Sequence, residues 1–172
     1  PPKDDIPASP SAFPSPAIPT DSVPVFVSAV ESPGQFYVQL ATQDEELTDL
    51  ATRVADTYTT DYANFELTTF EPGQICCAKY SEDDFWYRGI IKTKEGDKCT
   101  VLFVDYGNVE DVATGDIARL QTDLANIAPY AIECQLGGLD ATVEWTDEEV
   151  EKFTTATTDK ELSGKFLGDS EK

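Results

Sequence analysis

The chain has 172 residues, 40% of them apolar, which is enough to bury a real core and excludes a globally disordered chain. Twelve basic against 33 acidic side chains leave a formal net charge of −21, a surface that repels phosphate, argues against nucleic acid or anionic lipid as a direct ligand, and attracts basic partners. His is absent, which removes His-based acid–base catalysis, Ser–His and Cys–His nucleophiles, and His-ligated metal sites.

Residues 1–23 are rich in Pro, Ser and Asp. Such a stretch cannot close a core, and it is expected to form a flexible or polyproline-like leader. The Pro-Pro start and the lack of Met are expected of a piece of a longer chain, whose targeting signals would lie elsewhere. No apolar run approaches the length needed to span a bilayer.

"VPVFVSAV" and "GQFYVQLA" predict two strands joined by the turn-rich "ESPG". In the segment that follows, Leu47, Leu50, Val54 and Tyr58 recur at steps of three or four and mark one apolar helix face, with Thr42 or Asp44 as the expected cap. After a loop, "ICCAKY", "FWYRGIIK", "KCTVLFVDY" and "VEDV" predict four short strands. Glu95-Gly96-Asp97 makes the middle hairpin and Tyr106-Gly107-Asn108 the last turn. Strands this short and this tightly connected suit a small, bent antiparallel barrel. "ATGDIARLQTDLANI" then reads as one or two helical turns and "YAIECQLGGL" as a strand. "TDEEVEKFTTAT" reads as a helix with a Thr146/Glu149 capping box, and "LSGKFLGD" as the start of a final strand. The flanks on either side of the barrel are each incomplete and are expected to pair with one another around it.

Cys76, Cys77, Cys99 and Cys134 form no CxxC pair and are expected to be reduced, mostly buried apolar residues, so no metal or other cofactor is expected. Arg53, Arg88 and Arg119 are the only arginines and do not cluster, which argues against a phosphate-stabilising nuclease site. Arg88 is expected to be a structural ion-pair partner, Asp105 to stabilise the turn, and Trp86 to pack on the barrel or helix. The acidic runs Glu82-Asp83-Asp84 and Asp147-Glu148-Glu149 read as solvated charge, the second also complementing a helix N-terminus.

Period two puts Cys76, Ala78 and Tyr80 on one face of their strand, Tyr87, Gly89 and Ile91 on one face of the next, and Val101 with Phe103 on one face of the third, with Tyr106 following at the turn. At one end of a bent barrel Tyr80, Tyr87, Phe103 and Tyr106 could converge. Aromatic faces suit a soft, weakly hydrated cation, and the Asn108 amide could orient a planar N–H group. A guanidinium fits both requirements. Aromatics at alternate strand positions also commonly serve as core, and the residues alone leave that reading open.

"CCAKYSEDDFWYRGII" followed by "VLFVDYGNVEDV" resembles the Tudor domain, and the flanks resemble the extended Tudor arrangement over about residues 24–168. The resemblance implies a mainly β fold with helices (α+β): a bent antiparallel Tudor barrel at 69–118 inserted in a discontinuous, staphylococcal-nuclease-like (SN-like), OB-type domain made of 24–68 and 119–172. It implies a non-catalytic reader of arginine-containing peptides, typically symmetrically dimethylated, from the tail of Piwi-class Argonaute proteins, acting as an adaptor in the piRNA pathway. The implied cage is Tyr80, Tyr87, Phe103 and Tyr106, with Asn108 bonding the guanidinium. Tyr80 stands where Phe is common, a change that keeps the ring face. The domain is expected to act as a monomer, without nucleic acid or membrane contact. Its expected setting is the cytoplasm, in perinuclear germ granules, or the mitochondrial surface for a KH–Tudor parent. Three alternatives stay open: preference for unmethylated arginine, a methyl-lysine histone reader, and a nuclease.

Overall fold

The computed structural model describes residues 12–138 and 144–168. Residues 1–11 of the expected leader, the end of "YAIECQLGGL" and the last residue of "LSGKFLGD" lie outside them.

Two antiparallel sheets carry the architecture. In the first, β1 (Val23–Ser32) and β2 (Gln35–Leu40) form a hairpin from before the central block, while β8 (Ala131–Cys134) and β9 (Glu161–Gly164) come from after it; the order is β8-β2-β1-β9. Val25, Phe36, Val38, Leu40 and Ile132 pack beneath it, with Phe153 of α3 (Asp147–Thr157) at 5.2 Å from Phe36. The two flanks therefore do pair with each other, as their incompleteness predicted.

The second sheet has the order β6-β5-β4-β3-β7, built from β3 (Ile75–Lys79), β4 (Trp86–Glu95), β5 (Lys98–Phe103), β6 (Val109–Ala113) and β7 (Ile117–Ala118). A register shift between Ile91 and Thr93 bends β4. Its concave side encloses Cys76, Ala78, Ile91, Cys99, Val101, Phe103, Val112 and Ile117. Gly89 sits on this side because a Cβ there would lie 2.6 Å from Val101 Cγ1.

Helix α1 (Asp44–Asp61) covers the other side, burying Leu47, Leu50, Val54 and Tyr58, as their spacing predicted, against Ile75, Cys77, Trp86, Leu120 and Leu124. Trp86 stacks on Tyr58 at 5.7 Å, which places it against the helix. The adjacent cysteines acquire a reason here: Cys76 faces the concave core and Cys77 the helix core, so β3 is covered on both sides and reads as a run of small apolar residues. All four cysteines are free; three are buried and Cys134 is half-buried.

Three sequence expectations change. Neither Thr42 nor Asp44 caps α1; a 3-10 turn over Ala41–Gln43 runs straight into the helix, leaving Gln43 at the cap without a side-chain bond. The stretch 113–127 holds the expected helical turns, a 3-10 turn at Thr114–Asp116 and the short helix α2 (Thr122–Ala125), but between them lies an unexpected two-residue strand, β7, which pairs with β3. Within the leader, Phe13 is half-buried against the helix core, its ring 5.0 Å from the Arg88 guanidinium carbon. The capping box of α3 forms as predicted, with Thr146 and Glu149 exchanging bonds.

Candidate ligand-binding site

Antiparallel register carries the aromatic residues to one end of the bent sheet. Ala78 pairs with Tyr87, and Gly89 with both Cys76 and Phe103, so the small residues leave room where the rings stand. Tyr80 follows the end of β3. Ring centroids lie 5.5 Å apart for Tyr80–Phe103, 6.2 Å for Tyr80–Tyr87 and 6.2 Å for Tyr87–Phe103. Their interplanar angles are 73°, 82° and 87°, so the three planes meet like faces at the corner of a box. Tyr106 adds a fourth ring, 5.5 Å from Tyr87 and at 86° to it. Phe103, 1% exposed, is the floor; the three tyrosines are half-buried. These are contact distances for edge-to-face pairs.

Asn108 is held beside the rings by its carbonyl, which accepts from the Phe103 N–H at 2.9 Å. Its carboxamide has no hydrogen-bond partner among the described residues. All five residues named from the sequence thus come from one end of one sheet, although no direct contact places the Asn108 amide on a ring.

The turn that carries Tyr106 is clasped both from within its own sheet and from outside it. Asp105 is buried and holds Arg88 through two bonds, Arg88 Nε to Oδ2 at 2.9 Å and a second nitrogen to Oδ1 at 2.5 Å. Arg88 also donates to the carbonyls of Leu124, Ile127 and Ala128, and the Tyr130 N–H donates to Asp105. A buried pair is tolerable only with its remaining donors and acceptors satisfied, and here they are. From the first sheet, Ser28 Oγ donates to the Tyr106 carbonyl at 2.5 Å and Gln39 Nε2 to the Asp105 carbonyl at 2.6 Å. The Tyr37 side chain lies where a Cβ on Gly107 would be, 2.2 Å from it. The structural roles expected of Arg88 and Asp105 are therefore observed.

Carboxylates rim the rings. Burial, then the charges of Asp105, Asp83 and Asp44, pushes the Tyr106 hydroxyl up to about 12. Burial and a hydrogen bond to Asp83 raise Tyr87; burial with Glu82, Glu110 and Asp83 raises Tyr80. Each phenol therefore keeps its proton at neutral pH, and the rings stay neutral. Sequence reasoning took Asp83 as solvated charge. The structure leaves it exposed and in addition bonds its Oδ2 to the Tyr87 hydroxyl at 2.5 Å and its Oδ1 to the Phe85 N–H at 2.9 Å. Its position four residues before an aromatic was the only cue. Among the described residues, no cluster of three or more His, Cys, Asp or Glu could hold a metal ion, and no helix is long and apolar enough to cross a membrane.

The fold has counterparts among known proteins. The Tudor domain family model matches residues 17–138. The chain is 33% identical over 133 residues, 77% of its length, to the Xenopus laevis protein named Tudor domain-containing 6-like, of which it spans 7%. Over 148 residues, 77% of its length, it is 32% identical to the Drosophila melanogaster Tudor and KH domain-containing protein homolog, of which it spans 26%. Among solved structures, it resembles extended Tudor domain TD3 of mouse TDRD1 in complex with a MILI peptide containing dimethylarginine, with TM-score 0.77 and 28% identity, covering 88% of this chain and 78% of that one. It also resembles a Drosophila melanogaster Papi extended Tudor domain in complex with a dimethylated Piwi N-terminal peptide, with TM-score 0.72 and 31% identity, covering 80% and 70%. With its bent sheet inserted between the halves of a second sheet and its match to the family model over most of its length, the chain belongs to the Tudor domain family and has the extended Tudor fold.

Proposed function

We propose that this domain is a non-catalytic reader of arginine-containing peptides, symmetrically dimethylated, from the N-terminal tail of a Piwi-class Argonaute protein. It serves as an adaptor in the piRNA pathway, in the cytoplasm of germline cells. The observation that carries the reading is the set of near-perpendicular rings, Tyr80, Tyr87, Phe103 and Tyr106, with Asn108 at the same end of the sheet. Methylation replaces N–H donors by methyl groups while the charge stays, so water solvates the cation less well and aromatic faces lose less by enclosing it. Each such contact contributes about 0.5–2 kcal/mol. Asn108 supplies an acceptor for a remaining N–H, which trimethyl-lysine lacks, and this favours arginine over a histone methyl-lysine mark.

A nucleic-acid ligand or nuclease chemistry finds no support in the three arginines, which are already engaged: Arg53 with Asp123, Arg88 with Asp105, and Arg119 over the Phe65 ring. A second reading, preference for unmethylated arginine, is favoured by the carboxylates around the rings, since each can accept an N–H that methylation would remove.

Calorimetric titration with matched arginine peptides, unmodified and symmetrically dimethylated, tests the proposal. The dimethylated form is expected to bind more tightly, and Tyr87→Ala to weaken it by about 2- to 30-fold, the effect of losing one such contact. Binding of neither form would overturn the proposal; tighter binding of the unmodified form would replace it with the second reading.

A further inference from the structure

Tyr87 is the ring that touches all three others, at 5.5 to 6.2 Å. Its backbone is fixed at the start of β4, but two side-chain torsions remain, and the side chain is half-exposed. One bond restrains the free end of the ring: the hydroxyl donates to Asp83 Oδ2 at 2.5 Å. That carboxylate is itself fixed, because Oδ1 accepts the Phe85 N–H at 2.9 Å.

The hairpin that presents Asp83 is closed by backbone bonds at both ends, Tyr80 N–H to the Phe85 carbonyl at 2.9 Å and Asp84 N–H to the Tyr80 carbonyl at 2.9 Å. Asp84 takes the left-handed conformation, with φ +60, that this tight loop demands; Asp adopts it more readily than most residues. A continuous chain of bonds thus runs from the backbone of Tyr80 through the loop to the hydroxyl of Tyr87. The Tyr87 hydroxyl is thus tied to the backbone that carries Tyr80.

We infer that Asp83 is a positioning residue of the cage: through its bond to the hydroxyl it holds the Tyr87 ring at right angles to Phe103 and Tyr106, ready for a flat cation. This rests on the reading of the rings as an arginine cage. A ring already ordered before binding spares the complex the entropy of ordering it, which for one side chain amounts to about a 2- to 12-fold difference in affinity. The charge of Asp83 also acts on Tyr80 and Tyr106, so positioning has to be separated from simple attraction of a cation.

The separation uses Asp83→Asn, Asp83→Ala and Tyr87→Phe, titrated with the dimethylated peptide in about 0.5 M salt, where exposed charges are largely screened. The Asn variant keeps a partner for both bonds, since its carbonyl accepts from Phe85 and its amide can donate to the Tyr87 oxygen. It is expected to stay within about twofold of wild type, while Asp83→Ala loses about 3- to 10-fold. In the Tyr87→Phe background Asp83→Ala is expected to cost nothing further, the non-additivity of two residues acting through one bond. Equal losses for Asn and Ala, or a full loss from Asp83→Ala in the Tyr87→Phe background, would overturn the inference.

A peptide-free readout keeps the two readings apart. Proton NMR contacts from the Tyr87 ring to the Phe103 and Tyr106 rings are expected to weaken in Asp83→Ala and to persist in Asp83→Asn. Unchanged contacts in Asp83→Ala refute the positioning role whatever the peptide does. A wild-type domain that binds no peptide refutes the reader instead.

Discussion

Gly107 meets two demands that no other residue satisfies together. Its φ is +91, in the region that side chains with a Cβ avoid, and an added methyl would sit 2.2 Å from the Tyr37 ring. Gly107→Ala is therefore expected to destabilise the fold by about 2–4 kcal/mol, the sum of backbone strain and overpacking. A lower urea midpoint at unchanged slope would register it; a midpoint within error of wild type would mean that turn and ring can both shift. The sequence made the turn legible through Tyr106-Gly107-Asn108, and it made Asp105 legible as a turn residue. It could not name Arg88, Tyr130 or Gln39 as partners, because those contacts span 17, 25 and 66 positions and leave no local periodicity. The bond of Asp83 was hidden differently: in a strongly acidic chain one carboxylate looks like its neighbours until a hydroxyl is found against it.

Elements with a long repeat were the readable ones. The stripe of Leu47, Leu50, Val54 and Tyr58 spans about three turns of one helix, and four buried side chains agree with it. β7, at two residues, is too short for any alternation to show, and only its pairing with β3 defines it. The α1 cap was misread because a 3-10 turn supplies the entry that a capping side chain would otherwise give. At α3 the opposite holds: Thr146 Oγ1 accepts from the Glu149 N–H at 3.3 Å, and the Glu149 carboxylate accepts from the Thr146 N–H at 2.9 Å. Those bonds to Thr146 hold the Glu149 carboxyl below its ordinary value. A depressed carboxyl favours the fold above its unfolded pKa and loses that contribution as pH falls through the folded one, so the α3 cap is expected to loosen only as pH falls below about 4.5. Thr146→Ala is expected to cost about 1 kcal/mol at neutral pH, read by hydrogen exchange of the first-turn amides of α3, and less at acid pH. Equal loss at both pH values would show that the carboxylate plays no part in the cap.

The net charge of −21 was legible from composition, and it acts on encounter more than on fold. An arginine-bearing peptide is expected to associate about tenfold more slowly when ionic strength rises from about 50 to 500 mM, with little change in its dissociation rate. Stopped-flow fluorescence separates the two rates; a salt effect confined to dissociation would mean that short-range pairs, and not the long-range field, attract the peptide. The pairing of the flanks into one sheet was also foreseeable, since neither could bury its apolar face alone. How that sheet reaches the rings was not.

Ser28, Tyr37 and Gln39 belong to the four-stranded sheet, yet all three grip the 105–107 turn of its neighbour. One wall of the box is thus borrowed. The five strands transplanted alone into another scaffold would keep the Arg88–Asp105 pair but lose the bonds from Ser28 and Gln39 that hold the Tyr106 turn from outside. A chimera that preserves every ring in sequence would still present an open-sided receptacle, so the smallest portable version of this module includes the β1–β2 hairpin that precedes it.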